Sequence, residues 1–183
     1  MRALPETIAP PRAPVAGGEA LGAEPGVDTP ACLSLYRRLS AGVTVVTSRH
    51  RHTPVGMTAS AVTSLSLRPP LLLACLASTS RTLAGIRLQR TFAVHLLREE
   101  QVGWAESFAR TGHEGFGDLR VREVLGTPVL VDALAWTVCL LVEAREYGDH
   151  HTVVGEVVAT HSGAGRPLLW HDRSYWGLRP AGQ

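Results

Sequence analysis

Two short segments carry small and hydroxylic side chains in a pattern that suits a planar, anionic ligand. Gly56-Met57-Thr58-Ala59-Ser60-Ala61 has no side chain bulkier than methionine and offers two hydroxyls beside its backbone amides. Ser78-Thr79-Ser80-Arg81-Thr82 stands where a helix is expected to begin, so amides, hydroxyls and a guanidinium gather at the positive end of a helix dipole. No Asp or Glu occurs between Thr53 and Gly85, so nothing inside that run repels a phosphate. The chemistry that this pairing suits is the binding of a flat, phosphorylated cofactor. Each segment alone has a plainer reading, because Ser/Thr-rich strands are common and a Ser/Thr cluster before a helix serves as an N-cap. Their conjunction, with Pro69-Pro70 and an apolar run between them, favours the ligand. A third segment, Gly148-Asp149-His150, puts a glycine turn at the mouth of an expected hairpin. A second flat ring can approach there, and His150 can stack on it or donate a hydrogen bond. A simple turn residue is the alternative. His151 should point to the opposite face of the strand, which makes the two histidines a poor metal pair, and no metal site is expected.

The elements that must position these groups follow from hydrophobic period. Residues 1–30, rich in Pro, Gly and Ala, are expected to be a disordered tail, and 31–180 a single domain. A short helix is expected with Leu33, Tyr36 and Leu39 on one face and Gly42 near its end. Val43 to Ser48 reads as a strand, Arg49 to Thr53 as a polar turn and Val55 to Leu65 as a second strand. Pro69-Pro70 should block ladder pairing. Leu71 to Ala77, LLLACLA, is apolar on both faces and reads as a central, fully buried strand. Ser80 is the expected N-cap of a helix carrying Leu83, Ile86 and Leu88 inward.

Thr91 to Leu97 returns to strand. Arg98 to Arg110 reads as an amphipathic helix with Val102, Ala105 and Phe108 inward, closed by Gly112. Gly112 to Gly126 reads as a mobile loop. Leu134 to Arg145 alternates, with Leu134, Trp136, Val138, Leu140 and Val142 on the expected core face. Its partner should be His151 to His161, across the Tyr147-Gly148-Asp149 turn. The sum is a mainly β protein, an antiparallel barrel with a few peripheral helices. A parallel α/β sheet is the alternative, but the links from Val43 to Leu71 are too short for crossover helices.

Composition sets bounds. With 183 residues, 45% hydrophobic and 19% charged, the chain can bury one real core. The net charge of +2 comes without any basic run, which argues against a nucleic-acid surface. All cationic side chains are Arg, as expected from codon bias in a GC-rich genome. The three cysteines are far apart and form no CxxC, so neither a disulfide framework nor a zinc site is suggested. Cys75 and Cys139 sit in apolar runs and read as core fillers. Met1 to Pro30 has no continuous apolar stretch and no run approaches ~20 apolar residues, so no signal peptide or membrane span is expected and the compartment should be cytoplasmic.

The segments GVTVVTS, PVGMTASAVTSLSLRPPLLLACLASTSRT, FAVHLL, TPVL, ALAWTVC, GDHHTVVGEV and PLLWHDRSYWGL follow one another from roughly Leu33 to Leu178. In that order they resemble the flavin reductase-like family, the small NAD(P)H:flavin oxidoreductases that supply reduced flavin to two-component monooxygenases. The resemblance implies a six-stranded antiparallel Greek-key split barrel (the FMN-binding split barrel). It also implies a homodimer with FMN or FAD near the subunit interface, and NADH or NADPH as co-substrate. It places Gly56, Met57, Thr58, Ala59, Ser60 and Ala61 along the isoalloxazine and ribityl chain, with Ser64 and Ser66 flanking them. It places Ala77, Ser78, Thr79, Ser80, Arg81 and Thr82 at the phosphate, and Gly148, Asp149 and His150 at the nicotinamide nucleotide. The implied reaction is hydride transfer by orientation, without an acid–base pair or nucleophile. The implied partner is a flavin-dependent monooxygenase. Two positions depart from the family pattern: Arg68 stands where an Asp is usual, and His95 where an Asn is usual. Arg68 is expected near the cofactor region. A barrel that keeps FMN as a prosthetic group, as a one-component oxidoreductase or monooxygenase or an electron-transfer flavoprotein, is the alternative.

Overall fold

The computed structural model describes residues 28–110 and 115–182, and the chain divides into two units, Met1–Tyr36 and Arg37–Gln183. In the first unit the described structure is helix α1 (Thr29–Tyr36). Asp28 caps it, its Oδ1 accepting from the Ala31 N–H at 2.8 Å. Pro30 sits in the first turn, where its missing N–H would have had no helical partner. This helix begins within the stretch 1–30 expected to be a tail, of which residues 1–27 lie outside the described ones. The helix also ends earlier than its apolar spacing suggested, because Leu39 lies beyond it and Gly42 belongs to a strand.

The described residues of the second unit form twelve strands and two helices. They run β1 (Ala41–Gly42), β2 (Thr44–His50), β3 (Thr53–Ala59), β4 (Val62–Leu67), β5 (Pro70–Ala77), α2 (Arg81–Gln89), β6 (Thr91–Leu96) and α3 (Val102–Ala109). The remainder are β7 (Val121–Val124), β8 (Thr127–Leu130), β9 (Ala135–Tyr147), β10 (His150–Ser162), β11 (Leu168–His171) and β12 (Ser174–Gly177). Seven strands form the main sheet in the order β3-β2-β6-β9-β10-β5-β4, all neighbours antiparallel. Three hairpins, β2–β3, β4–β5 and β9–β10, are joined by crossings that skip strands, and α2 carries the chain from β5 across to β6. The sheet curls so that Ala59 of β3 and Ala74 of β5 share one core, although β3 and β4 remain hydrogen-bonding edges. The resemblance implied six strands. The seventh arises because the expected strand from Val55 to Leu65 breaks at Ser60-Ala61 into β3 and β4.

The interior is Val46, Leu76, Leu83, Ile86, Phe92, Val94, Cys139, Leu141 and Val153 with their neighbours. Gly155 is needed there. A Cβ on it would lie 2.7 Å from Cys139 Cβ and against the Phe92 ring. A second cluster outside the sheet packs Ala105 and Phe108 of α3 against Val43, Val45, Leu97, Leu130 and Leu168.

Several expectations change. Pro69-Pro70 does not interrupt pairing, because Leu67 and Pro70 face each other as the last pair of a hairpin. β5 is second from an edge rather than central. Only its Ala74 and Leu76 are buried, while Leu71, Leu73 and Cys75 point outward and are half-exposed. On β9 the parity differs from the apolar alternation. Cys139 and Leu141 face the interior, whereas Trp136 and Val138 lie against Val129 on the outside and Leu140 and Val142 run past that cover. In α2, Leu83 and Ile86 are buried but Leu88 is exposed. α3 starts at Val102, since Arg98 to Gln101 form a turn instead, and Gly112 lies outside the described residues. The expected loop from Gly112 to Gly126 contains β7.

The departure at His95 has a structural explanation. The ring is fully buried, with Nδ1–H donating to the Val45 carbonyl at 2.9 Å and Nε2 accepting from the Leu130 N–H at 3.0 Å. It staples β8 onto β2 and β6. Protonation would put two N–H donors face to face, and burial already pushes its pKa from 6.5 to about 4, against the smaller opposing effect of the Val45 bond. The folded state thus takes up this proton later than the unfolded chain does. Its stabilisation is complete above pH ~6.5 and is lost as pH falls towards 4, by about 3 kcal/mol in total. Urea midpoints measured from pH 7 to 4 should show that loss, and His95→Gln should lack this part of the slope.

Candidate functional site

The N-terminus of α2 is built as the sequence suggests. Ser80 is extended (φ −73°, ψ 138°), and its Oγ accepts from the Leu83 N–H at 3.1 Å. The Ala84 N–H donates to the Ser80 carbonyl at 3.2 Å, and the Ser80 N–H to the Ala77 carbonyl at 3.0 Å. The N–H groups of Thr79, Arg81 and Thr82 have no protein acceptor among the described residues. Nor do the hydroxyl of Thr79 or the exposed Arg81 guanidinium have a partner there. The first turn holds no acidic residue. Such an end accepts an anion.

Sheet pairing brings the glycine turn to the same place. Ala77 faces His150 in the β5–β10 ladder, and the Ser78 N–H donates to the Asp149 carbonyl at 2.9 Å. Tyr147 pairs with His150, leaving Gly148-Asp149 as a two-residue turn with Gly148 at φ +61°, a conformation that suits glycine. One carboxylate from outside the acid-free run between Thr53 and Gly85, that of Asp149, thereby joins the group. Asp149 Oδ1 lies 2.8 Å from His150 Nδ1, and that hydrogen bond, aided by the imidazole charge, holds the carboxyl below its usual range. Both side chains face solvent.

The Gly56-to-Ala61 segment divides. Met57 and Ala59 point into the barrel core. Gly56 faces α3, where a Cβ would lie 2.7 Å from Phe108 Cε1, and Thr58 Oγ1 donates to the Ala105 carbonyl at 2.6 Å. Smallness at Gly56 is therefore needed to seat Phe108. Ser60 and Ala61 stand exposed at the corner between β3 and β4, and the Ala61 carbonyl accepts from Cys75 N–H at 2.8 Å, two residues from Ala77. They lie on the side of the α2 start.

Ser64 and Ser66 do not. They face Leu72 and Leu71, five and six positions back along β5 from Ala77, some ~17–20 Å at the usual strand rise. Arg68 lies farther still, at the tip of the β4–β5 hairpin, so within one chain it is remote from the α2 start. Cavities divide in the same way. One of about 190 Å³ is lined by Val43, Thr58, Ser60, Ala109, Trp170 and Tyr175. Another of about 190 Å³ opens at Ser64, Leu72 and Leu97. The aromatic pair Trp170 and Tyr175, with centroids 4.9 Å apart, was not singled out in sequence. Its signal was the aromatic-rich run near the C-terminus, but only the β11–β12 hairpin brings it beside Thr58 and Ser60. Among the described residues no group of three His, Cys, Asp or Glu is placed to hold a metal, and no helix is long and apolar enough to cross a membrane.

The fold and site define an antiparallel barrel whose helix start offers amides without protein acceptors among the described residues, beside a glycine turn. Comparison with known proteins gives the family. Residues 36–179 match the family described as Flavin reductase like domain, and the chain belongs to it. It is 41% identical over 132 residues to the reductase component of a 4-nitrophenol 4-monooxygenase/4-nitrocatechol 2-monooxygenase from Rhodococcus opacus, covering 72% of this chain and 71% of that one. It is 36% identical over 174 residues to an NADH:FMN oxidoreductase from Rhodococcus qingshengii, covering 89% and 91%. The solved NADH:FAD oxidoreductase SgcE6 of Streptomyces globisporus C-1027 superposes with a TM-score of 0.75 at 31% identity, over 84% of this chain and 97% of that one. These likenesses agree with the mainly β split-barrel architecture and with an oxidoreductase that uses flavin.

Proposed function

We propose that this chain is an NADH:FMN oxidoreductase that passes reduced flavin to a separate monooxygenase. One observation carries the reading. Three N–H groups without protein acceptors converge at the start of α2, and the glycine turn is hydrogen-bonded to that same start through Ser78 and Asp149. A phosphate-holding end and an open platform for a second ring are thus parts of one structure. The relative of widest overlap among those described above is named for NADH and FMN, and another for a monooxygenase reductase component, which supports the choice of nucleotide, flavin and partner.

The residues present fit the flavin. The amides of Thr79, Arg81 and Thr82, the Arg81 guanidinium and the hydroxyls of Ser78 and Thr79 bind the phosphate. Ser80 is occupied as the helix cap and fixes the turn rather than touching the ligand. Ser60 and Ala61, with Thr58 behind them, line the ring. Met57, Ala59 and Gly56 act from beneath, by holding the strand against the core and α3. Gly148 leaves the turn without a Cβ, and His150, held by Asp149, orients the nicotinamide. When bound, the flavin supplies N5 as the acceptor for hydride from nicotinamide C4. The protein contributes orientation, and needs no nucleophile or proton-transfer pair. The exposure of Thr79 and Arg81 favours a flavin that exchanges with solution over one retained as a prosthetic group.

The same reading assigns a second copy to the outward face of β5. Leu71, Leu73 and Cys75 are apolar yet half-exposed, and a homodimer that covers them supplies a place for Ser64 and Ser66 away from their own chain's α2.

His150→Ala is expected to raise KM for NADH about tenfold, the value of one lost positioning hydrogen bond, while the dissociation constant for FMN stays unchanged. Steady-state kinetics with a parallel flavin titration checks both. An unaltered KM for NADH rejects the nicotinamide assignment.

A further inference from the structure

His151 is left without a task by this chemistry. Strand alternation turns it away from His150 and onto the face that carries Val153 into the core. It is only 7% exposed, and its Nδ1 lies 3.0 Å from Ser78 Oγ. Nε2 has no protein partner among the described residues. Ser78 is fixed from its other side as well, through the bond from its N–H to the Asp149 carbonyl, and it stands two residues before the cap of α2. A buried imidazole on β10 thus grips the hydroxyl that opens the anion-facing turn.

A serine hydroxyl has one proton to donate and lone pairs to accept with. When Ser78 donates to Nδ1, it turns only lone pairs towards an anion. When Nδ1 carries the proton and donates to Oγ, the hydroxyl proton of Ser78 is free to point outward, and the bond it makes is strengthened by the one it accepts. An apolar residue at position 151 would fill the space but leave the Ser78 rotamer unset.

We propose that His151 is a positioning residue for flavin phosphate, holding Ser78 Oγ as an acceptor so that the Ser78 hydroxyl donates to a phosphate oxygen. This rests on the phosphate lying at the start of α2. Its effect must therefore be confined to ligands that carry a phosphate, a distinction that a purely structural histidine cannot make.

The test compares FMN with riboflavin, which has the same ring and ribityl chain without the phosphate. Dissociation constants are measured by flavin fluorescence on the full chain and on His151→Leu, His151→Asn, Ser78→Ala and the double variant His151→Leu/Ser78→Ala. Wild type should prefer FMN. His151→Leu and Ser78→Ala should each weaken FMN binding roughly five- to tenfold and leave riboflavin unchanged, and the double variant should be no weaker than Ser78→Ala. His151→Asn, whose amide nitrogen falls near the Nδ1 position, should recover most of the FMN affinity. Equal losses for both flavins, or a preference for FMN over riboflavin that is as large in His151→Leu as in wild type, overturn the proposal while the phosphate site stands. A wild type that does not distinguish FMN from riboflavin removes the phosphate site and the role of His151 together.

Discussion

Arg81→Glu is expected to weaken FMN binding about a hundredfold and to leave the fold as stable as before. Two effects combine at the ligand. A guanidinium able to pair with phosphate is lost, and a carboxylate is placed at the first helical residue of α2, beside amides with no protein acceptor. For the helix the sign is opposite, because a negative side chain in the first turn interacts favourably with the helix dipole. Arg81 is exposed and makes no ion pair among the described residues, so its removal breaks nothing. Flavin titration should therefore show the loss while the urea midpoint is unchanged or slightly raised. A variant that unfolds more readily and still binds FMN at wild-type strength would place the phosphate elsewhere.

Gly155→Val should have the largest effect on stability, about 3 kcal/mol or more, a large share of what a domain of this size possesses. Gly155 sits at a register shift on β10, opposite Leu141 of β9 and Leu72 of β5, so the backbone is held from both sides. A Cβ would lie 2.6 Å from Phe92 Cε1 and 2.7 Å from Cys139 Cβ, and the Phe92 ring is fully buried with nowhere to move. Valine adds two methyl groups to that overlap. Phe92→Leu in the same chain should return part of the loss, because it vacates the volume that valine enters. Urea denaturation of the single and double variants measures this, and a Gly155→Val protein with the wild-type midpoint contradicts the packing described.

What the sequence made legible was local. Ser80 was readable as a cap because N-capping depends on one side chain and the amide three residues on, and the Gly148-Asp149 turn because glycine between two alternating runs marks a hairpin. Chain-distant contacts were not. LLLACLA looked fully buried because both its faces are apolar, but within one chain only the Ala74 and Leu76 face finds a core. The β9 alternation was real yet pointed the wrong way, since Trp136 and Val138 are covered by Val129 from outside the barrel. Gly56 was read as room for a ring, and Phe108 from 52 residues later fills that room. Neither Asp149 beside Ser78 nor His151 bonded to it is visible before β5 and β10 pair. The family motifs named segments that β5–β10 pairing brings to the start of α2, and which of their side chains are left exposed there follows from the packing of α3 and the core.

The most direct measurement is NADH oxidation followed at its own absorbance band, with purified protein at catalytic concentration and FMN in molar excess over protein. Many FMN equivalents should be reduced per chain, NADH consumption should be negligible when FMN is omitted, and dialysis should leave the protein nearly colourless. No FMN-dependent consumption of NADH, or NADH, consumption confined to a flavin that stays with the protein through dialysis, would contradict a barrel that takes flavin as a passing substrate.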